Sequence, residues 1–164
     1  MDRHEIEAEL AMPGAQELLA STSAAHLAYV GNDGNPRVIP VGYFWTGQVF
    51  VISTATTSPK VTALSTRPNV ALAIDAGDTP EQARALSIRG RAIVEIVDGV
   101  VEEYLAAARK QMEADAAAEF ERHVNEMYDQ QARIAITPEW VRFWDFGAGR
   151  MPHFLQELAD RNRT

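Results

Sequence analysis

Three short apolar runs crowd into the stretch from His26 to Ser53, and the spacers between them decide how they can pair. The runs are "HLAYV", "RVIPVGYFW" and "VFVIS", separated by "GNDGNP" and "TGQ". A parallel pair needs a crossover of roughly a dozen residues or more, and neither spacer has room for one. Asn-Asp-Gly-Asn-Pro is also turn chemistry in its own right. The runs therefore predict an antiparallel meander. Pro40 inside the second run has no N–H to donate, so it demands a sheet edge, a bulge or a place where the backbone faces a ligand.

The rest of the chain extends this sheet. Residues 4–20 have helical apolar spacing broken in two by Pro13-Gly14. A short helix is expected from Ser58 to about Thr66, then "VALAID" as a fourth strand. "ALSIRGRAIVEIV" follows as a long strand that alternates Ile88, Gly90, Ala92 and Val94 with Arg89, Arg91 and Glu95. Residues 100–130 carry two apolar stripes, Val101/Tyr104/Leu105/Ala108/Met112 and Phe120/Val124/Met127. The stripes drift apart, which predicts two helices or a bend near Ala114–Ala118. "ARIAI" and "PEWVRFWDF" read as two further strands, and "MPHFLQELADR" as a closing helix. The expected fold is a mainly β, α+β domain spanning residues 1–164. It holds an antiparallel sheet of six or seven strands, curled into a barrel to hide its edges, with peripheral helices.

Composition narrows what such a barrel can do. A net charge of −8 argues against a general nucleic-acid surface, and the absence of cysteine removes disulfides, thiolate metal sites and cysteine nucleophiles. The four histidines are scattered, which argues against a metal site built from them. "GAGRMP" lacks the last glycine of a dinucleotide fingerprint and follows no βαβ unit, and no Walker loop or glycine-flanked serine is present. Glu102-Glu103 reads as a solvated helix face. The charged start "MDRHEIEAEL" is unlike a signal peptide, and no apolar run reaches the ~18 residues of a membrane span, so a cytoplasmic protein is expected.

Two signals remain. In "FVISTATTSPKVTAL" an apolar strand runs into hydroxyls and then a helix start, with Ser58 at the N-cap and Pro59 at the first helical position. Lys60 then sits in the first turn, at the positive end of the helix dipole. Either it points into water, or an anion such as a phosphate fills the gap beside it. The second signal is "WVRFWDFGAGR", where Trp140, Phe143, Trp144 and Phe146 precede glycines and Arg150. Aromatics in strand alternation serve a core or a flat ligand. If extended, the segment puts Trp144 and Phe146 on one face and Phe143 on the other.

Taken in order, these elements resemble the flavin-binding split-barrel family related to pyridoxamine 5′-phosphate oxidase. The span "HLAYVGNDGNPRVIPVGYFWTGQVFVISTATTSPKVTALSTRPNVALAID" carries the likeness. The resemblance implies a homodimer with two flavins at the subunit interface. By position, Arg37 would lie near the cofactor phosphate, and Val38, Ile39, Pro40 and Val41 would run along the ring. Ser53 and Thr54 match a cofactor-contacting strand end, and Ser58 and Lys60 match a phosphate-binding Ser-Xaa-Lys. Phe143-Trp144 with Arg150 resembles the element the partner subunit contributes. Three departures stand out. Pro59 replaces the usual arginine, Val41 replaces a lysine, and Arg150-Met151-Pro152 replaces Arg-Leu-His, with His153 displaced by one. These losses fall on the vitamin substrate's side of the site.

The resemblance implies an FMN-dependent oxidoreductase acting on an unidentified small molecule, since a flavin supplies the hydride chemistry and asks for no acid–base constellation. One alternative keeps the fold and uses the deazaflavin F420, whose long anionic tail calls for extra basic residues. Another is a non-catalytic flavin or haem binder, with His26 or His153 as the haem ligand.

Overall fold

The computed structural model describes residues 1–161. In chain order the elements are α1 (Arg3–Leu10), α2 (Pro13–Ala20), β1 (Ala25–Val30), β2 (Pro36–Val41), β3 (Phe44–Trp45), β4 (Phe50–Ala55), α3 (Pro59–Thr66), β5 (Asn69–Ala76), β6 (Arg84–Asp98), α4 (Glu102–Arg109), α5 (Ala114–Met127), β7 (Gln130–Asp145) and α6 (His153–Arg161). All strand pairs are antiparallel, in a single seven-stranded sheet ordered β2-β1-β5-β6-β7-β4-β3.

That order corrects the expected meander. The hairpins β1–β2 and β3–β4 form, but the second apolar run breaks at Gly42-Tyr43, and its halves go to opposite edges of the sheet. A flat sheet of this width would hold its edges about 29 Å apart at 4.8 Å per strand, whereas three Cα–Cα steps span at most ~11 Å. The sheet must therefore curl until β2 and β3 nearly meet, leaving an unpaired seam between them. This is a split barrel, and β2 is an edge strand, as Pro40 requires.

The C-terminal sheet also differs from expectation. "ARIAI" and "PEWVRFWDF" are one continuous strand, β7, which pairs with β6 from Asp98↔Gln130 to Arg84↔Asp145. The Pro138 interruption is absorbed by a bulge at Arg89/Gly90. Glycine is required there, because a Cβ would strike the carbonyl of Thr137. The strand stops at Asp145, so Phe146 lies in a turn and does not continue the face of Trp144.

Inside the curl, the alternating residues of every long strand meet. Leu27, Phe50, Leu72, Ile74, Leu86, Ile88, Ile134, Ile136 and Val141 are essentially solvent-free. α2 closes one end with Ala15, Leu18 and Leu19. α1 begins in a capping box between Asp2 and Glu5 and packs on β7. The helices α4 and α5 form a hairpin inserted between β6 and β7, and α4 lies against β4. Gln131, buried in β7, accepts the Val101 N–H at 2.9 Å and so anchors the start of α4. Arg109 ties the two helices together through Glu102 (2.7 Å) and Glu121 (2.8 Å). Val101, Leu105 and Val124 are buried as the stripes predict, but Met112 and Met127 are exposed.

Candidate cofactor site

β4 runs Phe50–Ala55, and α3 starts four residues later, so the strand's hydroxyl end faces the helix start. Lys60 is where this geometry converges. Its Nζ donates to Ser58 Oγ at 2.9 Å and to Thr54 Oγ1 at 3.3 Å. Ser58 occupies the N-cap, but its side chain makes no capping bond; the hydroxyl serves Lys60 instead. Burial pushes the Lys60 ammonium below its ordinary pKa. Among the described residues no carboxylate lies within ion-pair distance of it. A half-buried cation held only by hydroxyls is an incomplete arrangement, and a phosphate would complete it.

Lys60 borders a cavity of about 250 Å³ between β4 and the α4–α5 hairpin, with Val41, Ser53, Tyr104, Met112 and Phe120 among its walls. The Ser53 Oγ is shut off from solvent and has no hydrogen-bond partner. Glu103 also faces the cavity, but Arg133 grips its Oε1 from Nη2 at 2.6 Å and from Nε at 3.1 Å. Those bonds hold the Glu103 carboxyl below its usual range. The solvated-face reading therefore holds for Glu102 and fails for Glu103. None of the α4–α5 lining was assigned to a site from the sequence. The one usable signal was that its two stripes diverge, which leaves Tyr104 and Phe120 only partly buried, 5.7 Å apart.

The remaining candidates lie apart from this cavity. Arg37 and Val38 line a second groove, of about 670 Å³, on the outer face of the sheet. Arg37 already has a counter-ion in Asp33, at 2.7 Å. Hydrogen bonds from Asn35 and then from Arg37 hold the Asp33 carboxyl well below the usual carboxylate range. Asn32 ties the β1–β2 turn to the start of α3 by donating to the Pro59 carbonyl at 3.3 Å. Ile39 packs against the core, and Pro40 is exposed on the edge strand. Trp144 is half-buried, while its neighbour Phe143 is fully inside.

Arg150 is occupied. Its Nε donates to the Phe143 carbonyl at 2.7 Å, and its Nη2 pairs with Glu9. Glu9 is a buried carboxylate that also accepts the Phe143 N–H at 2.8 Å and Arg142 at 3.2 Å.

Comparison with known proteins agrees with this fold. The profile of the pyridoxamine 5′-phosphate oxidase family matches residues 12–145, and the chain belongs to this family. No curated protein matches the chain. Similar solved structures include the conserved hypothetical protein Rv2991 from Mycobacterium tuberculosis, at TM-score 0.62 and 22% identity, covering 93% of this chain and 90% of that one. An F420 reductase aligns at TM-score 0.59 and 26% identity, over 80% of this chain and 98% of its own. HutZ, the haem storage protein from Vibrio cholerae, aligns at 0.57 and 14%, over 78% and 89%. The family and fold thus accommodate flavin-type cofactors in general. No helix among the described residues is long and apolar enough to cross a membrane.

Proposed function

We propose that this chain is an FMN-binding oxidoreductase that works as a cytoplasmic homodimer on a small molecule other than pyridoxamine 5′-phosphate. The observation that carries the reading is Lys60 with Thr54 and Ser58, a cation and two hydroxyls lacking an anion. These three would hold the cofactor's phosphate, and the flavin, once bound, supplies the hydride chemistry. β2 pairs on one side only, so its free edge from Arg37 to Val41 has backbone groups to offer a ring. Arg37 would approach the phosphate only by sharing itself with Asp33. Arg150 drops out of direct cofactor contact, because Glu9 and the Phe143 carbonyl occupy it.

A second copy would cover the outer face of the sheet. A cross-strand row there runs Val38–Ala28–Ala71–Arg89–Trp140, small in its middle and ending with Arg89 stacked 4.2 Å above the Trp140 ring. Val38 stands 67% exposed on this face. A flat face of small side chains with an exposed valine and a tryptophan suits close packing against another protein. Trp144 stays in the reading as a cross-subunit contact.

One observation favours F420 instead: the outer groove has two arginines, Arg37 and Arg89, where an anionic tail could lie, and an F420 reductase is among the similar structures. Haem has less support, since His26 sits 3.6 Å from Asp75 and His153 3.2 Å from Glu157, both exposed. Purification followed by an absorption spectrum and mass spectrometry of the released cofactor separates the three. FMN is expected, and release of F420 or haem alone would replace this reading.

A further inference from the structure

Strand β6 runs on past its neighbour β5. Their pairing ends at Asn69↔Arg91, after which the Ala92 N–H still reaches the Pro68 carbonyl at 2.8 Å. From Ile93 to Asp98 β6 pairs with β7 on one side, and among the described residues no strand takes the other. Backbone groups alternate in direction along a strand, and the Ala92 bond fixes the phase. Those of Ile93, Glu95 and Val97 serve β7, so those of Val94, Ile96 and Asp98 face the open side.

Open edges are normally guarded by lysine, proline, a bulge or a charge. Residues 92–98, "AIVEIVD", contain no lysine or proline, and the bulge falls earlier, opposite Arg89 and Gly90. The two acids are drawn across to β7: Glu95 accepts from Arg133 at 3.4 Å, and Asp98 from Gln130 at 2.8 Å. Ile93 and Ile96, on opposite faces of the strand, are left 59% and 51% exposed.

We propose that this edge joins two copies of the chain, strand to strand and antiparallel, about a two-fold axis at Ile96. The occupant is a second copy because the edge complements itself in one register. Ile96 lies opposite Ile96 and exchanges both backbone bonds with it, and Val94 does the same with Asp98. Each Glu95 then lies opposite Val97, so no carboxylate faces another directly. Centring the pair on Glu95 instead sets two carboxylates opposite each other, and their backbone groups already belong to β7. In the favoured register the Ile96 side chains meet over the axis, and Ile93 lies diagonal to Val97 of the second copy. No residue from 92 to 98 lines the Lys60 cavity or the outer groove, so this contact is separate from the flavin reading and its homodimer face. A ladder this short is a small interface, and reversible association is expected of it.

Sedimentation equilibrium of the full chain over a concentration series tests the contact, with thermal melting as the folding control. Wild-type protein should reach twice the mass of Ile96→Lys. The unit that doubles is a flavin dimer if that reading holds and a single chain if it fails. Ile96→Lys sets like charges across the axis and should weaken the association at least ~10-fold, as should Ile96→Glu. An equimolar mixture of the two should restore the heavier species, because lysine then faces glutamate. Ile96→Pro deletes an N–H that points to the open side, so it spares the ladder with β7 and should also lose the association. It decides the matter if the charged variants melt early. All three variants should keep FMN affinity within about twofold of the wild type, since the edge contributes nothing to either groove. Equal masses for wild type and variants, or a mixture that stays light, would overturn the proposal. A loss of FMN affinity that accompanies the loss of mass would make this edge part of the flavin interface, and overturns it as well.

Discussion

Glu9 and Lys60 both leave the solvent, and the chain treats them differently. Glu9 enters the junction of α1 and β7 and is answered on every side by the Phe143 N–H, Arg142 and Arg150. Lys60 enters the junction of β4 and α3 and meets hydroxyls only. The first arrangement is closed, since each polar atom has a partner from the same chain, and the reward is a fixed structure. The second is open, with desolvation already spent and the compensating charge absent. Charges left open in this way concentrate at functional sites. On this comparison Arg150, which the resemblance assigns to the cofactor, is structural in its contacts, and Lys60 is the residue available to a ligand.

The sharpest way to break the contrast is to remove Glu9. Glu9→Leu deletes a buried carboxylate and strands the Phe143 N–H, which in a fully buried network costs 3–5 kcal/mol; here both arginines can turn to water, so about 2–3 kcal/mol is expected. Thermal melting should show a fall of about 2–4 °C per kcal/mol for a chain of this size. Flavin affinity of the folded fraction should stay as in the wild type. A variant that melts normally but loses flavin would move Glu9 to the ligand side of the comparison.

Lys60→Ala should do the reverse. Flavin titration should show a loss of about 1–3 kcal/mol in affinity, the range for a charge-assisted hydrogen bond, with no loss of thermal stability in the cofactor-free chain. Equal dissociation constants for wild type and variant would mean that Lys60 is an ordinary solvated lysine.

A pH series sharpens the same point. Burial holds the Lys60 pKa below its usual value, so the folded, cofactor-free chain sheds this proton before the unfolded one does. Lys60's contribution to stability therefore rises with pH through the window between the lowered value and the ordinary 10.5. Phosphate attraction behaves oppositely: it is fully present below the lowered value and fades as pH climbs through it. Flavin affinity should accordingly fall as pH rises through that window, and the slope should vanish in Lys60→Met.

The smallest effect is expected at Arg37, whose charge is closed by an exposed partner, Asp33. Arg37→Ala should weaken flavin binding less than Lys60→Ala does, measured in the same titration. A larger loss at Arg37 would shift the phosphate toward the outer groove and strengthen the F420 reading. A steady-state assay of the FMN-loaded chain with pyridoxamine 5′-phosphate should also stay below about 10⁴ M⁻¹s⁻¹ in kcat/KM, the floor of ordinary enzyme efficiency. Val41 lines the cavity where a cation would be needed to hold that substrate's phosphate.

What could be read from the residues follows the range of the forces involved. The α3 start was legible because Ser58, Pro59 and Lys60 act within one turn, and so was the break at Pro13. The strand segments were legible because their alternation is local. Their order was not: nothing near Val41 says that the chain must cross to the far edge by Phe44, three residues later. The fusion of "ARIAI" with "PEWVRFWDF" escaped for a similar reason, since Pro138 breaks a strand locally and only a bulge at Glu139, facing Arg89 and Gly90 of the opposite strand, accommodates it. The cavity was the least legible. Tyr104 and Phe120 look like core residues in a helical stripe, and only the placement of the hairpin over β4 leaves room beside them.

The Gly42-Tyr43 link makes successive strands the two most distant members of the sheet. The hairpins β1–β2 and β3–β4 can each form within microseconds of local search. The first docks on β5, and the second only on β7, a strand that lies far from it in sequence. The slow part of folding is thus the gathering of distant strands, as topology dominated by non-local pairs requires. A link of two residues thus fixes where the barrel stays split.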